Sequence, residues 1–257
     1  MMKELSVQSI DKKLKEVSYN ELPNFLEEIS GDSRIGVQKL IKKYEKKYKD
    51  YQLELERIKE ISKYENNYYN KGLEYIAGVD EAGRGPLAGP VVAAAVILPK
   101  DAVILGINDS KKLSLIKREE LFEIINKEAL SISIGIIDPQ TIDRINILQA
   151  TFKAMRKAID GLSIRPDMIL VDGNNSITDI SIPQKKIIKG DQKSISIAAA
   201  AIVAKVTRDR LMDEFHKLYN DYGFNKHKGY GTKEHIEAIK KYGLCPIHRL
   251  SFTSNLL

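Results

Sequence analysis

Two adjacent carboxylates, Asp80 and Glu81, stand at the end of an apolar segment that begins at Tyr75, and the glycine-rich stretch Ala82 to Pro90 follows them. Paired acids beside a loop whose bare backbone can approach a ligand suit metal-assisted chemistry better than packing. Two further acids occupy comparable places. Asp172 closes the apolar segment Asp167–Val171, and Asp191, within Lys189–Lys193, stands just before a helical pattern. In an open sheet, strand ends gather at one edge, where sites form. Clustered carboxylates repel one another unless a cation sits among them, and hard oxygen ligands select Mg²⁺ or Mn²⁺. A zinc site is not indicated: His216, His227, His235 and His248 are scattered, and Cys245 is the single cysteine.

Each acid also has a plainer reading. Asp172, before Gly173 and Asn174, has the composition of a turn, and Asp191 that of a helix cap. Neighbouring residues on a strand point to opposite faces, so one of Asp80 and Glu81 is expected to face away unless the strand ends or bulges there. The turn Gly83-Arg84-Gly85 leads to Pro86 and a second strand rather than a helix, which does not fit a dinucleotide fingerprint, and no Gly-Lys-Ser/Thr is present for a P-loop. What remains is a close backbone approach, with Arg84 offering planar, bidentate donors.

The elements that must position these residues are of two kinds. Before residue 72 the pattern is helical. Val7, Ile10, Leu14 and Val17 have helical spacing, and Pro23 with Phe25, Leu26 and Ile29 suggests a short helix ended by Gly31. A long stripe runs from Val37 through Leu40, Ile41, Tyr44, Tyr48, Tyr51, Leu55 and Ile58 to Ile61. Lys39, Lys42, Lys43, Lys46, Lys47 and Lys49 crowd its other faces, either as a solvated surface or as a phosphate-touching one. The segment 66–72, rich in Asn and Tyr, reads as a linker.

After Gly72 the pattern becomes α/β. Strands are expected at Tyr75–Asp80, Val91–Leu98, Ser131–Ile137, Asp167–Val171 and Gln184–Lys189. Asp109-Ser110 would cap a helix through Leu113, Leu121, Ile124 and Ile125. Pro139 opens a long helix through Leu148, Phe152, Met155 and Ile159. Helices are also expected from Ser194 to about Tyr219, beginning with the block Ala198–Ala201, and from Lys233 to Tyr242.

The 257 residues, 43% of them hydrophobic, suffice for a large domain with an appendage, and the net charge of +6 favours anionic partners. One cysteine permits no internal disulfide, and Met1–Leu5 lacks an apolar signal core, so a cytoplasmic location is the simpler expectation. No run approaches the roughly 20 apolar residues that cross a bilayer.

The segment Gly78–Pro90 resembles the N-terminal signature of bacterial ribonuclease HII. The likeness continues through Asn108–Leu113, Val171–Gly173, Lys189–Asp191, Ala204–Asp209 and His227–Thr232, and ends in His248–Phe252. It covers residues 73–257, leaving 1–72 as a helical N-terminal extension without an implied role. The resemblance implies a ribonuclease H-like α/β fold: a mixed central sheet flanked by helices, with a helical C-terminal part. It implies a monomer that cleaves the RNA of RNA–DNA hybrids and nicks duplex DNA 5′ of embedded ribonucleotides, leaving a 3′-hydroxyl and a 5′-phosphate, as in removal of ribonucleotides from DNA. The family's four acids fall on Asp80, Glu81, Asp172 and Asp191, its Gly-Arg-Gly motif on Gly83, Arg84 and Gly85, and its substrate-contacting tyrosine on Tyr230. Two Mn²⁺ or Mg²⁺ ions on the four acids would activate water and stabilise the leaving oxygen. The 2′-hydroxyl, donor and acceptor at once, separates RNA from DNA. Lys111, Lys112, Lys205, Arg208 and Lys228 are candidate phosphate contacts, although such residues on helices are often only solvated.

Ala201 stands where the family commonly has a serine, which removes a hydroxyl. Two rivals remain at this level: a ribonuclease HIII-like hybrid nuclease, against which Arg84 argues, and a non-catalytic hybrid-binding protein, against which the four acids argue. Removal of residues 1–70 is expected to leave the chemistry intact and to weaken binding as salt rises.

Overall fold

The computed structural model describes residues 5–255. It divides into two compact units, Met1–Lys59 and Glu60–Leu257. In the first unit, Ser6 caps helix α1 (Val7–Glu16) by accepting the Ser9 N–H, and Pro23 occupies the first turn of α2 (Leu22–Ile29). With the start of α3 (Ile35–Ile61), these helices bury Ile10, Leu14, Leu26, Ile29, Val37 and Ile41 in one cluster. The α3 lysines at 39, 42, 43, 46, 47 and 49 are all exposed.

The second unit begins at Glu60 and includes the segment 66–72 expected to be a linker. Residues Lys63–Tyr69 form a helix, α4, and only residues 70–75 are irregular before the first strand. Tyr64, Tyr68 and Tyr69 recur at helical spacing, and they pack against Ile76, Leu170, Ile187 and Ile197. The asparagines between them hid this apolar face. A deletion through residue 70 would strip the core side chains Tyr64, Tyr68 and Tyr69 from this unit, which counts against the expectation that such a deletion spares the chemistry.

Five strands form one mixed sheet in the order β3-β2-β1-β4-β5: β1 (Ile76–Ala82), β2 (Val91–Ile97), β3 (Ser131–Ile137), β4 (Met168–Asp172) and β5 (Gln184–Ile187). β1 runs antiparallel to β2 and parallel to β4, with Val79 opposite Val171. One further step along that register sets Asp80 level with Asp172. The parallel pairing stops there, so Asp80 and Glu81 are paired only with β2, at Ala94 and Ala93.

Side chains alternate across the sheet. Val79, Ala93, Ala95, Ile169 and Val171 face the helix α7 (Ile147–Asp160), through Phe152, Met155 and Ile159. The other face carries α8 (Ile195–Leu218), whose small residues let it lie close. A Cβ on Gly78 would fall 2.1 Å from the Ser196 carbonyl carbon, so no side chain fits at this crossing. The remaining helices are α5 (Leu115–Glu128), α6 (Pro139–Ile145), α9 (Phe224–His227), α10 (Lys233–Tyr242) and α11 (Leu250–Thr253).

Two further helices differ from expectation, and β1 extends to Ala82 while β5 ends at Ile187. α5 starts at Leu115, capped by Ser114, and leaves Asp109 and Ser110 in a loop. The expected long helix after Pro139 breaks into α6 and α7 at Asn146, which takes φ 65° and caps α7 by accepting the Gln149 N–H. With ψ 165° this is a positive-φ conformation that side-chain-bearing residues disfavour, and the cap it provides helps hold it, so one residue ends α6 and starts α7. No described helix is long and apolar enough to cross a membrane.

Candidate active site

Asp80 and Glu81 line one cleft of about 250 Å³, together with Gly83, Arg84, Gly85, Ser110, Lys111, Ala201, Lys205, Arg208 and Tyr230. The expected divergence of the paired acids does not exclude either. The cleft lies at the sheet edge beyond the end of β1–β4 pairing, where side chains from both faces can reach it. Asp80 is buried, and burial, then Glu81 and Asp172, hold its carboxyl well above the ordinary carboxylate range. Burial also raises Glu81, with Arg84 acting in the opposite direction.

Asp172 ends β4, and its Oδ1 accepts the Gly190 N–H at 2.6 Å. Asp191 sits in a tight 3₁₀ turn, Gly190–Gln192, and is not the cap of α8; Ser194 has that role. Burial raises the Asp191 carboxyl, followed by Asp109 and Asp172. The four acids from β1, β4 and the turn after β5 therefore share one electrostatic site. A fifth, Asp109, buried to 6% exposure, joins them through the Gln192 amide, which donates to it at 3.3 Å.

The cluster's fit to a cation has two sides. Among the described residues, no group of three His, Cys, Asp or Glu is gathered tightly enough to hold a metal ion as the side chains stand. Asp80 Oδ1 accepts the Glu81 N–H at 2.7 Å, Glu81 Oε1 accepts from Arg84 at 3.3 Å, and Asp172 is held by Gly190, so an ion would compete with these donors. Yet the donor set is all oxygen and its members oppose one another's ionisation. A hard divalent cation removes that conflict, and these residues fit Mg²⁺ or Mn²⁺ in that sense.

The glycine-rich loop has no such conflict. Arg249, fully buried, donates to the carbonyls of Gly83, Arg84 and Gly89 at 2.6–3.0 Å. Arg208, exposed by only 1%, donates to Pro90, Ala88 and Lys228 at 3.0–3.1 Å. Burial lowers Arg208 to about 10 and Arg249 to about 9, so both stay charged at neutral pH. Gly83 takes φ +92°, and a Cβ there would meet Arg208 Nε at 2.0 Å, which makes glycine the residue this cage admits. Arg208 therefore differs from its expectation as a phosphate contact: its donors are engaged by backbone.

The other basic candidates divide. Lys111 is exposed at the cleft; burial would lower it, but Asp191, Asp80, Asp109 and Asp172 together raise it, so it stays an ammonium. Lys205 pairs with Asp209 at 2.6 Å, and burial lowers it. Lys112 is exposed outside the cleft lining, and Lys228 pairs with Asp213. Arg118, unnoticed in the sequence, donates to the carbonyls of Ser110 and Leu113 and so shapes the loop bearing Lys111.

Tyr230 is 46% exposed, beside Gly85. Beneath it lie three histidines that carried no expected role. His227 accepts the Gly229 N–H on Nδ1, which leaves Nε2–H to donate to the Tyr222 carbonyl at 2.7 Å. His248 accepts the Cys245 N–H on Nδ1, so its Nε2–H donates to His235 Nε2 at 3.0 Å. His235 Nδ1–H then donates to the Tyr230 carbonyl at 2.9 Å. These bonds assign one tautomer to each neutral ring. Burial lowers all three, His235 to about 4.

Comparison with known proteins gives one answer. The ribonuclease HII family model matches residues 77–255, and the ribonuclease HII N-terminal domain model matches residues 6–69. A ribonuclease HII from Acetivibrio thermocellus is 53% identical over the full length of both chains. Among solved structures, ribonuclease H2 from Pyrococcus horikoshii OT3 is 28% identical with a TM-score of 0.60, over 71% of this chain and 96% of that one. Bst-RNase HIII in complex with Mn²⁺ shares the fold at 18% identity and a TM-score of 0.53, over 66% of this chain and 63% of that one. The chain belongs to the ribonuclease HII family. It is an endoribonuclease, a hydrolase acting on RNA–DNA hybrids.

Proposed function

We propose that the cleft hydrolyses the phosphodiester 5′ of a ribonucleotide, in hybrids and at single ribonucleotides within duplex DNA, leaving a 3′-hydroxyl and a 5′-phosphate. The supporting observation is that Asp80 and Glu81 line one cleft with an immobilised glycine loop and an exposed tyrosine, and that Asp172 and Asp191, outside that lining, oppose the ionisation of Asp80. Asp80, Glu81, Asp172 and Asp191 are the catalytic residues and would hold two Mn²⁺ or Mg²⁺ ions. Such ions supply a water of lowered pKa and a counter-charge for the leaving 3′ oxygen.

The protein's own groups select and orient the strand. The Gly83–Gly85 backbone, fixed by Arg249, approaches the 2′-hydroxyl, which is both donor and acceptor. Tyr230 packs its ring on the neighbouring sugar, with its backbone held by His235. Lys111 and Arg84 meet the phosphates, and Lys112 continues that basic edge. Lys205 and Arg208 act behind the surface, as positioning residues. Residues 73–257 carry catalysis, with 1–72 in support. A cytoplasmic monomer engaged in removing ribonucleotides from DNA fits this reading.

The test is cleavage of a duplex carrying one ribonucleotide, with product ends mapped. Nicking on its 5′ side, with Tyr230→Ala slower on this substrate, is expected. Cleavage of long hybrids only, with the lone ribonucleotide intact, would contradict the reading.

A further inference from the structure

Glu65 lies on α4, just before the segment 66–72 that the sequence presents as a linker, and it is 3% exposed. Its Oε1 accepts three hydrogen bonds: from Ser194 Oγ at 2.5 Å, from Ser196 Oγ at 2.5 Å and from the Ser196 N–H at 3.0 Å. Its Oε2 is buried without a hydrogen-bond partner. Burying a carboxyl group is unfavourable unless its bonds do something in return. Capping of α8 accounts for one of these bonds, since Ser194 Oγ accepts the Ile197 N–H at 3.2 Å and Glu65 the Ser196 N–H; the bond from Ser194 Oγ ties Glu65 to the residue that ends the preceding turn.

Ser194 leads directly to the acids. Its N–H donates to the Gly190 carbonyl at 2.8 Å, and the Lys193 N–H donates to the same oxygen at 2.9 Å. The Gly190 N–H in turn holds Asp172. Asp191 lies inside this turn, between the residue tied to Asp172 and the residue tied to Glu65. The turn is entered through Lys189 at φ 56°, a conformation that side-chain-bearing residues disfavour. A turn of this kind, carrying a carboxylate among other carboxylates, does not persist by local preference and needs an external anchor.

We propose that Glu65 is a positioning residue for the acid cluster: by fixing Ser194 it holds the Gly190–Ser194 turn that sets Asp191 against Asp172. This rests on the reading of those acids as the cation-holding site. It makes α4, which precedes the sheet in sequence, a part of the site's support.

The experiment is Mn²⁺ binding by titration calorimetry to full-length wild type, Glu65→Ala, Glu65→Gln, Ser194→Ala and Asp80→Asn, with folding checked by circular dichroism. Removing a residue that orients a ligand weakens metal binding about tenfold or more. Glu65→Ala is expected to weaken Mn²⁺ binding by that factor and to raise the half-saturating Mn²⁺ for cleavage in parallel, with the KM for nucleic acid unchanged. Glu65→Gln keeps the acceptor oxygen and should stay close to wild type. A folded Glu65→Ala with wild-type Mn²⁺ affinity would overturn the proposal. If Glu65→Ala does not fold, Ser194→Ala decides in the same way. A wild type that binds no Mn²⁺, or binds it no better than Asp80→Asn, would overturn the reading of the acids, and the role of Glu65 with it.

Discussion

The glycine-rich loop at 83–90 borders the same cleft as Asp80 and Glu81, whose neighbours Asp172 and Asp191 stand outside its lining, yet opposite electrostatics hold the loop and the acids. Two buried guanidinium groups lock the loop through five carbonyls, those of Gly83, Arg84, Ala88, Gly89 and Pro90, and tie it to the Lys228 carbonyl. The acids repel one another, and burial adds to the opposition. A recognition surface benefits from being rigid before substrate arrives, since ordering it later would oppose binding. A cation site benefits from tension that only the ion relieves. One edge of the sheet thus carries a preformed half and a frustrated half.

The largest effect should come from the frustrated half. Asp80→Asn is expected to lower cleavage on the order of a thousandfold, since metal assistance supplies several kcal/mol and each 1.4 kcal/mol is tenfold. Single-turnover cleavage of a hybrid measures this, and a loss below tenfold would remove Asp80 from the reacting centre. Next comes the rigid half. Arg249→Met leaves several buried carbonyls without donors, a loss of about 3 kcal/mol that lowers Tm by roughly 6–12 °C. Loosening of the loop should also slow cleavage. An unchanged Tm would show that the cage adds nothing.

How much of this was legible depended on whether the signal was local. Asp80, Glu81 and the loop stand together in sequence at the end of an apolar run, Asp172 ends another such run, and the family resemblance supplied the roles expected of all four acids. The cage was not legible: Arg208 read as a candidate phosphate contact and Arg249 carried no expected role, because a sequence does not show which guanidinium is buried. The histidines are spaced by 8 and 13 residues, and only the fold joins them beneath Tyr230. Glu65 was invisible for a similar reason, since Asn66 and Asn67 beside it suggested a linker and its partners lie about 130 residues away. The even spread of Asp80 and Glu81 into one cleft followed from register: β4 stops pairing at Val79, which opens the edge.

A smaller effect concerns pH. The folded-state values of His227, His235 and His248 lie below the ordinary value, so the unfolded chain binds protons that the fold excludes. Their contribution is complete above about 6.5, the usual histidine value, and is lost as pH falls toward the value of about 4 for His235. The raised acids act in the opposite direction, gaining protons in the fold as pH falls. The difference in Tm between wild type and His235→Gln cancels the acids. It should be largest near pH 7 and shrink toward pH 4; a constant difference would contradict the neutral-tautomer chain.

The smallest effect expected is at α3. Its lysines are exposed, with Lys43 and Lys47 resting near the Tyr44 ring. Replacing Lys42, Lys46 and Lys49 by Gln should lower the salt dependence of duplex binding if they meet phosphates, by up to about 0.9 in log–log slope per contact. An unchanged slope would leave them as a solvated face.

The contrast between the two halves is tested most directly by melting temperature with and without Mn²⁺, for wild type and Asp80→Asn. If the acids are held in tension, Asp80→Asn melts higher than wild type without added ion, and Mn²⁺ raises wild type much more than the variant. Equal melting temperatures without ion, or equal Mn²⁺ shifts in both proteins, would contradict the account.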